Sequence, residues 1–195
     1  MATVSKHDSY PVLSFKKPAV FRTWLKKNHK TSDGLWIKIA KASTGIPTIT
    51  HMEALDIALC FGWIDGLRRG LDTEYFLQKF TPRVANSTWS LINKGKVARL
   101  IQEELMEDAG FAAIEVAKKN GRWNKAYASP KHMTVPRDFQ AALNENAKAK
   151  TAFATLNAQD RYVILLYLAN TTSDVTREKN IRKYIGKLEK MKLKK

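Results

Sequence analysis

The chain is short of acid, of cysteine and of long apolar stretches, and each shortage excludes something. Its 195 residues carry 18 acidic side chains against 34 basic ones. Cys60 is the only cysteine, which excludes an internal disulfide and any site built from several thiolates. No apolar run approaches the roughly 18 residues needed to span a bilayer; the longest, Tyr162 to Ala169, is the length of a buried turn or two. No apolar segment precedes Lys16-Lys17, so no secretory signal is read and a cytoplasmic, reducing location is expected. The phosphate-binding G-x-x-x-x-G-K, the dinucleotide-binding G-x-G-x-x-G and the nucleophile-elbow G-x-S-x-G are all missing. The four histidines, His7, His29, His51 and His132, have no paired spacing. No metal and no cofactor are expected.

What remains is a globular, basic chain. At 44% hydrophobic and 10% aromatic residues, it can bury a core, so wholesale disorder is excluded. Its length suits one domain, or one domain with a small appendage. The net charge is +16, and it is uneven. Residues 1–50 hold 9 basic and 2 acidic side chains, and residues 51–110 hold 7 and 9. Residues 111–150 hold 8 and 3, and residues 151–195 hold 10 and 4. A basic surface attracts nucleic acid, anionic lipid or acidic ligands. Lysine predominates over arginine, whereas bidentate reading of guanine favours arginine, so any nucleic-acid binding is expected to be weak and non-specific.

Residues 1–17 lack periodicity and read as a flexible arm. Pro18 can open a helix carrying Phe21, Trp24 and Leu25. After the Asp33-Gly34 turn signal, Leu35 to Lys41 reads as a strand. Thr50 and Glu53 form a T-x-x-E capping box ahead of a helix that stops at Gly62. Trp63–Arg69 and Glu74–Phe80, joined by Gly70-Leu71-Asp72-Thr73, read as an antiparallel pair. From Ser87 onward the pattern is helical, with apolar stripes at Val97, Leu100, Ile101 and Leu105, then at Phe111, Ile114 and Ala117. Pro136 opens a helix with Phe139 and Leu143. The last helix, from about Thr176, carries Ile181, Tyr184, Ile185, Leu188 and Met191 on one face, which is expected to dock rather than seek membrane. The fold expected is α+β: a small antiparallel sheet of about three strands near residues 35–81, packed against helices, with an all-helical C-terminal half. The arm is 1–17, the α+β core 18–130, and a helical region packed on that core 131–195.

The densest chemistry lies in Leu59-Cys60-Phe61-Gly62-Trp63-Ile64-Asp65-Gly66, then Phe80-Thr81-Pro82-Arg83 and Ser87-Thr88-Trp89-Ser90-Leu91-Ile92-Asn93. A large aromatic, a carboxylate and two glycines meet there. The candidate binding pocket is Trp63, Asp65, Arg83, Trp89, Ser90 and Asn93. Asp65 could pair with Arg83 or Arg68, or cap a turn. Trp89, Ser90 and Asn93 have the spacing of one helical face. A second aromatic-basic cluster is Arg122, Trp123 and Tyr127, where an arginine stacked on Trp123 would suit a base or anionic ring. Cys60 reads as a buried, inert thiol.

Together with Trp24, Gly34-Leu35-Trp36-Ile37, Glu53-Ala54-Leu55, Gly121-Arg122-Trp123 and Ala126-Tyr127, these segments resemble the YdeI/OmpD-associated (bacteriocin-protection) proteins of bacteria. Thr176-Arg177-Glu178-Lys179-Asn180-Ile181 resembles that family's closing T-R-x-x-R-I element, with Asn180 in place of its arginine. The resemblance implies a cytoplasmic stress-protection protein. It supplies no catalytic residue. The leading expectation is therefore binding of an unknown small ligand or protein, not chemistry. One rival is a non-specific nucleic-acid-binding protein using the basic flanks. The other is an enzyme of unknown reaction centred on Asp65.

Overall fold

A computed structural model describes residues 10–129, 133–171 and 173–191. His7 and His132 lie outside the described residues. Two compact units are present: residues 1–87 with 93–124, and residues 88–92 with 125–195.

The first unit is built on a four-stranded sheet in the order β1-β2-β4-β3. Strand β2 (Leu35–Ala40) alternates Leu35, Ile37 and Ile39, each 2% exposed or less, on the face that also carries Phe80. It pairs antiparallel with β4 (Tyr75–Pro82), which pairs antiparallel with β3 (Trp63–Gly70). The fourth strand falls inside the expected arm. Val12–Leu13 form β1, parallel to β2 in the register Val12↔Trp36, and Phe15 beyond it is buried. The arm's second half carries too little pattern to read alone, because a two-residue strand is held by its neighbour rather than by its own period.

Helix α1 (Pro18–Asn28) opens on Pro18, whose missing N–H costs nothing at that position, and buries Phe21 and Leu25 completely. Around it Phe15, Phe21, Trp24, Phe80 and Trp63 form an aromatic cluster with ring centroids 5.0 to 6.4 Å apart. Helix α2 (His51–Cys60) begins with both halves of the capping box formed between Thr50 and Glu53. Gly62, at φ +70°, turns the chain from that helix into β3. Asp56 on α2 takes Lys96 at 2.6 Å and Arg99 at 2.5 Å, both from α3 (Leu91–Gln102). Of the expected stripe, Val97 and Leu100 on α3 are buried, whereas Ile101 and Leu105, which lies beyond the end of α3, are exposed. Helix α4 (Asp108–Lys119) ends at Asn120-Gly121, with Gly121 at φ +74°.

The second unit holds α5 (Arg137–Glu145), α6 (Ala147–Thr155), α7 (Ala158–Ala169) and α8 (Asp174–Glu189). Asn146, Asn157 and Ser173 cap the last three with their side chains. Phe139, Leu143, Phe153, Leu165, Leu168 and Leu188 share one core. The apolar face of α8 is docked in it, with Ile181 and Leu188 buried, although Met191 is exposed. The α+β expectation stands, with four strands where about three are read from sequence.

Candidate functional site

Two strands and one helix position the carboxylate of Asp65. It stands across from Phe80 on β4, two residues into β3 from Trp63. His51, the first residue of α2, pairs through Nε2 with Asp65 Oδ2 at 2.9 Å. Both side chains are about three-quarters buried, at 24% and 26% exposure. Asp65 is therefore paired with His51, a partner the sequence does not suggest. The sequence offers no periodic link between them; the helix runs away from His51 and β3 returns, so a separation of 14 residues closes in space.

Just past Asp65 the ladder slips: a bulge separates Asp65 from Arg68. Bulges re-aim side chains and leave carbonyls unpaired. Gln78, 2% exposed, repairs this one. Its Nε2 donates to the carbonyls of Gly66 at 2.9 Å and Leu67 at 3.3 Å, and its Oε1 accepts from Arg68 Nε at 3.1 Å. Arg68 is thereby held, with its guanidinium 4.4 Å over Phe76. Trp63 is 1% exposed. It meets Trp24 edge-on and donates from Nε1 to His29 carbonyl at 3.4 Å. It is a core residue rather than a pocket wall. Arg83 follows Pro82 at the end of β4; its backbone N–H donates to Gly62 carbonyl at 2.9 Å, and its Nε and Nη2 atoms are buried.

The other candidates divide between the units. Asn93 is on α3 in the first, whereas Trp89 and Ser90 belong to the second. These three do not share a helical face, because α3 starts only at Leu91. Ser90 instead forms a parallel bridge with Tyr127. Tyr127 N–H donates to Trp89 carbonyl, and Leu91 N–H donates to Tyr127 carbonyl, both at 2.9 Å. The Trp89 carbonyl and the Leu91 amide are thus both spent on Tyr127, and the helix starts only beyond that bridge. Arg122 and Trp123 fall in the first unit and Tyr127 in the second. Lys94 lies 4.9 Å over the Trp123 ring and also donates to Trp123 carbonyl at 3.0 Å. Arg122 reaches Asn86 Oδ1 at 3.4 Å.

Within the second unit Tyr127 lines an open groove of about 550 Å³, with Lys125, Ala126, Ala128, Met133, Thr134, Pro136, Ala169 and Thr171. That volume falls in the ordinary range for small-molecule sites. The Thr171 hydroxyl donates to Tyr167 carbonyl at 2.9 Å and accepts from Asn180 at 3.2 Å. Neither the Lys125 ammonium nor the Thr134 hydroxyl is engaged among the described residues. Burial raises the pKa of the neighbouring Tyr162 phenol, and Tyr127 adds to the rise.

Residues 13–113, more than half of the chain, match the family described as a domain of unknown function (DUF8412). The chain belongs to the DUF8412 family. Residues 132–190 match the family described as bacteriocin-protection, YdeI or OmpD-associated, so the family resemblance read from the sequence holds. No curated protein matches the chain. No solved structure matches it either.

The two matches lie on different stretches. The GWIDG and TPR motifs, Trp89 and Arg122-Trp123 stand outside the YdeI/OmpD-associated match, and most of them stand in DUF8412. The closing T-R-x-x-N-I element of the YdeI/OmpD-associated stretch is structural. Arg177 Nε pairs with Asp138 Oδ2, its Nη2 donates to Asp138 Oδ1 at 3.0 Å, and its Nη1 donates to Leu168 carbonyl at 2.5 Å. Asn180 is buried and bonded to Thr171. Sequence reasoning missed His51, Lys125 and Thr134. Only Lys125 had a signal, since it sits inside Gly121-Arg122-Trp123-Asn124-Lys125-Ala126-Tyr127.

Proposed function

We propose that this chain is a cytoplasmic protein of the bacteriocin-protection type that acts by binding a small anionic ligand rather than by chemistry. The groove at Lys125 carries the reading. Lys125 and Thr134, whose ammonium and hydroxyl are unengaged among the described residues, line it together with the apolar Met133, Pro136 and Ala169, which suits an anionic head on a short apolar body. The backbone of Tyr127 is pinned on both sides by Trp89 and Leu91, so the rim is preorganised. Charge supports the same view. A chain at +16 repels a Lys/Arg-rich antimicrobial peptide, so protection by direct capture of such a peptide is disfavoured.

A second reading has one specific observation behind it. A histidine held by a carboxylate, as His51 is by Asp65, is the arrangement of an oriented general base. The groove offers both a charged and an apolar element for a ligand, so binding is preferred.

Thermal unfolding with and without inorganic phosphate or acetate tests the proposal. A ligand at about 100 times its Kd adds about 2.7 kcal/mol, which raises the melting temperature of a chain this size by roughly 5–10 °C. Lys125→Gln should remove the rise without changing the unliganded melting temperature. An equal rise in the variant, or none with any anion in the wild type, contradicts the proposal.

A further inference from the structure

Helix α8 presents a second surface that the groove does not use. Lys179, Lys183, Lys187 and Lys190 recur at i, i+4, i+8 and i+11, and all are exposed. At 3.6 residues per turn they fall within an arc of about 80°, along about 16 Å of helix. The acids of α8, Asp174, Glu178 and Glu189, project about 220–280° from Lys179 on the same count. Glu178 is in any case paired with Arg182 at 2.5 Å. No ion pair among the described residues engages any of the four lysines. Residues 125–195 hold 15 basic and 6 acidic side chains, so the stripe sits in a field of its own sign.

We propose that this lysine stripe is a docking surface for the phosphate backbone of nucleic acid. A row of like charges with no counter-charge on its own face calls for a polyanion. The apolar residues of α8 decide between a membrane and a nucleic acid. Ile181 and Leu188 are buried in the core of the second unit, so the apolar stripe that an interfacial helix would insert into the headgroup boundary is already docked, and only Val175 and Met191, at its two ends, are exposed. Lysine supplies point charges without the arginine fork that reads guanine. The contact therefore positions phosphates and reads no sequence.

The test is fluorescence anisotropy of the full-length protein with two unrelated DNA duplexes and with vesicles containing anionic lipid. Four phosphate contacts predict that duplex affinity falls on the order of 10²-fold between 50 and 200 mM salt, equally for both sequences. Replacing Lys179, Lys183, Lys187 and Lys190 each with Gln should abolish most of that binding and flatten the salt dependence, with the circular dichroism spectrum unchanged. A control with Lys16, Lys17, Lys27 and Lys30 each replaced by Gln removes the same charge from exposed positions elsewhere and should leave the affinity within about threefold. Equal losses in the two variants, a strong preference for one duplex, or binding to vesicles in place of DNA would each overturn the proposal.

Discussion

At the scale of single residues, backbone proximity outweighs intrinsic preference. Gly110 lies in the first turn of α4, where alanine is worth about 1 kcal/mol more than glycine. A Cβ there, however, would overlap the carbonyl of Cys60, which is backbone and cannot swing away. Gly62 faces the other side of the same approach, with a Cβ position 2.6 Å from Ala109 carbonyl. Gly110→Ala is expected to destabilise the protein by about 1–3 kcal/mol, read as a lowered urea midpoint; a raised midpoint would mean that propensity wins. Cys60 makes a second case. Burial raises its thiol pKa, against the lowering effect of Arg22 nearby, and its side chain is 1% exposed. The native protein should resist iodoacetamide at pH 8 and become labelled on adding denaturant. Rapid native labelling would contradict this burial. Gly62 and Cys60 are legible in the sequence, because one ends an apolar helix and the other lies on its face. Gly110 is not, since its need arises from a helix about fifty residues away. Asp65 is legible as a special acid, but its partner His51 is visible only once α2 and β3 are folded back together.

At the scale of elements, local signals decide the clear starts and long-range pairing decides the rest. The capping box at Thr50 and Glu53, the Pro18 opening and the Gly121 stop are all realised, because each is satisfied within its own turn. The short β1 and the extended Thr88–Ser90 segment are set by β2 and Tyr127, so no window around them reveals their state. Helix α8 shows both sources at once. Its apolar stripe is legible, while the bond of Arg177 with Asp138 on α5 is not. That bond gives a pH prediction. Hydrogen bonding from Arg177 holds the Asp138 carboxyl below its ordinary pKa. The unfolded chain therefore binds the proton more readily, and the resulting stability is complete above about pH 4. It is lost as pH falls through the folded value. Because the Asp138 side chain is 44% exposed, solvent screening limits the effect to less than about 1 kcal/mol. Urea midpoints measured from pH 6 to pH 2 should fall less steeply in Arg177→Gln than in the wild type. Parallel curves would remove the ion pair from the account.

At the scale of the whole molecule, the two family matches fall mainly on different compact units, DUF8412 over residues 13–113 on the first apart from residues 88–92, and the bacteriocin-protection, YdeI or OmpD-associated family over residues 132–190 on the second. Among the described residues no helix is long and apolar enough to cross a membrane. The motifs that draw the eye in the sequence serve the first unit as architecture. Trp63 closes an aromatic core, Asp65 holds His51, and Gln78 fills a bulge. The groove of the second unit is lined instead by unremarkable residues, such as Thr134, whose type and spacing carry no chemical signature. That is why the sequence, beyond Tyr127, does not single out this groove. The most direct measurement is an NMR titration of the isotopically labelled protein with inorganic phosphate. Binding in the groove predicts saturable amide shifts at Lys125 to Ala128, Thr134, Ala169 and Thr171 that disappear in Lys125→Gln. Shifts centred on Trp63, Asp65 and Arg83, or scattered without saturation over every lysine, would contradict it.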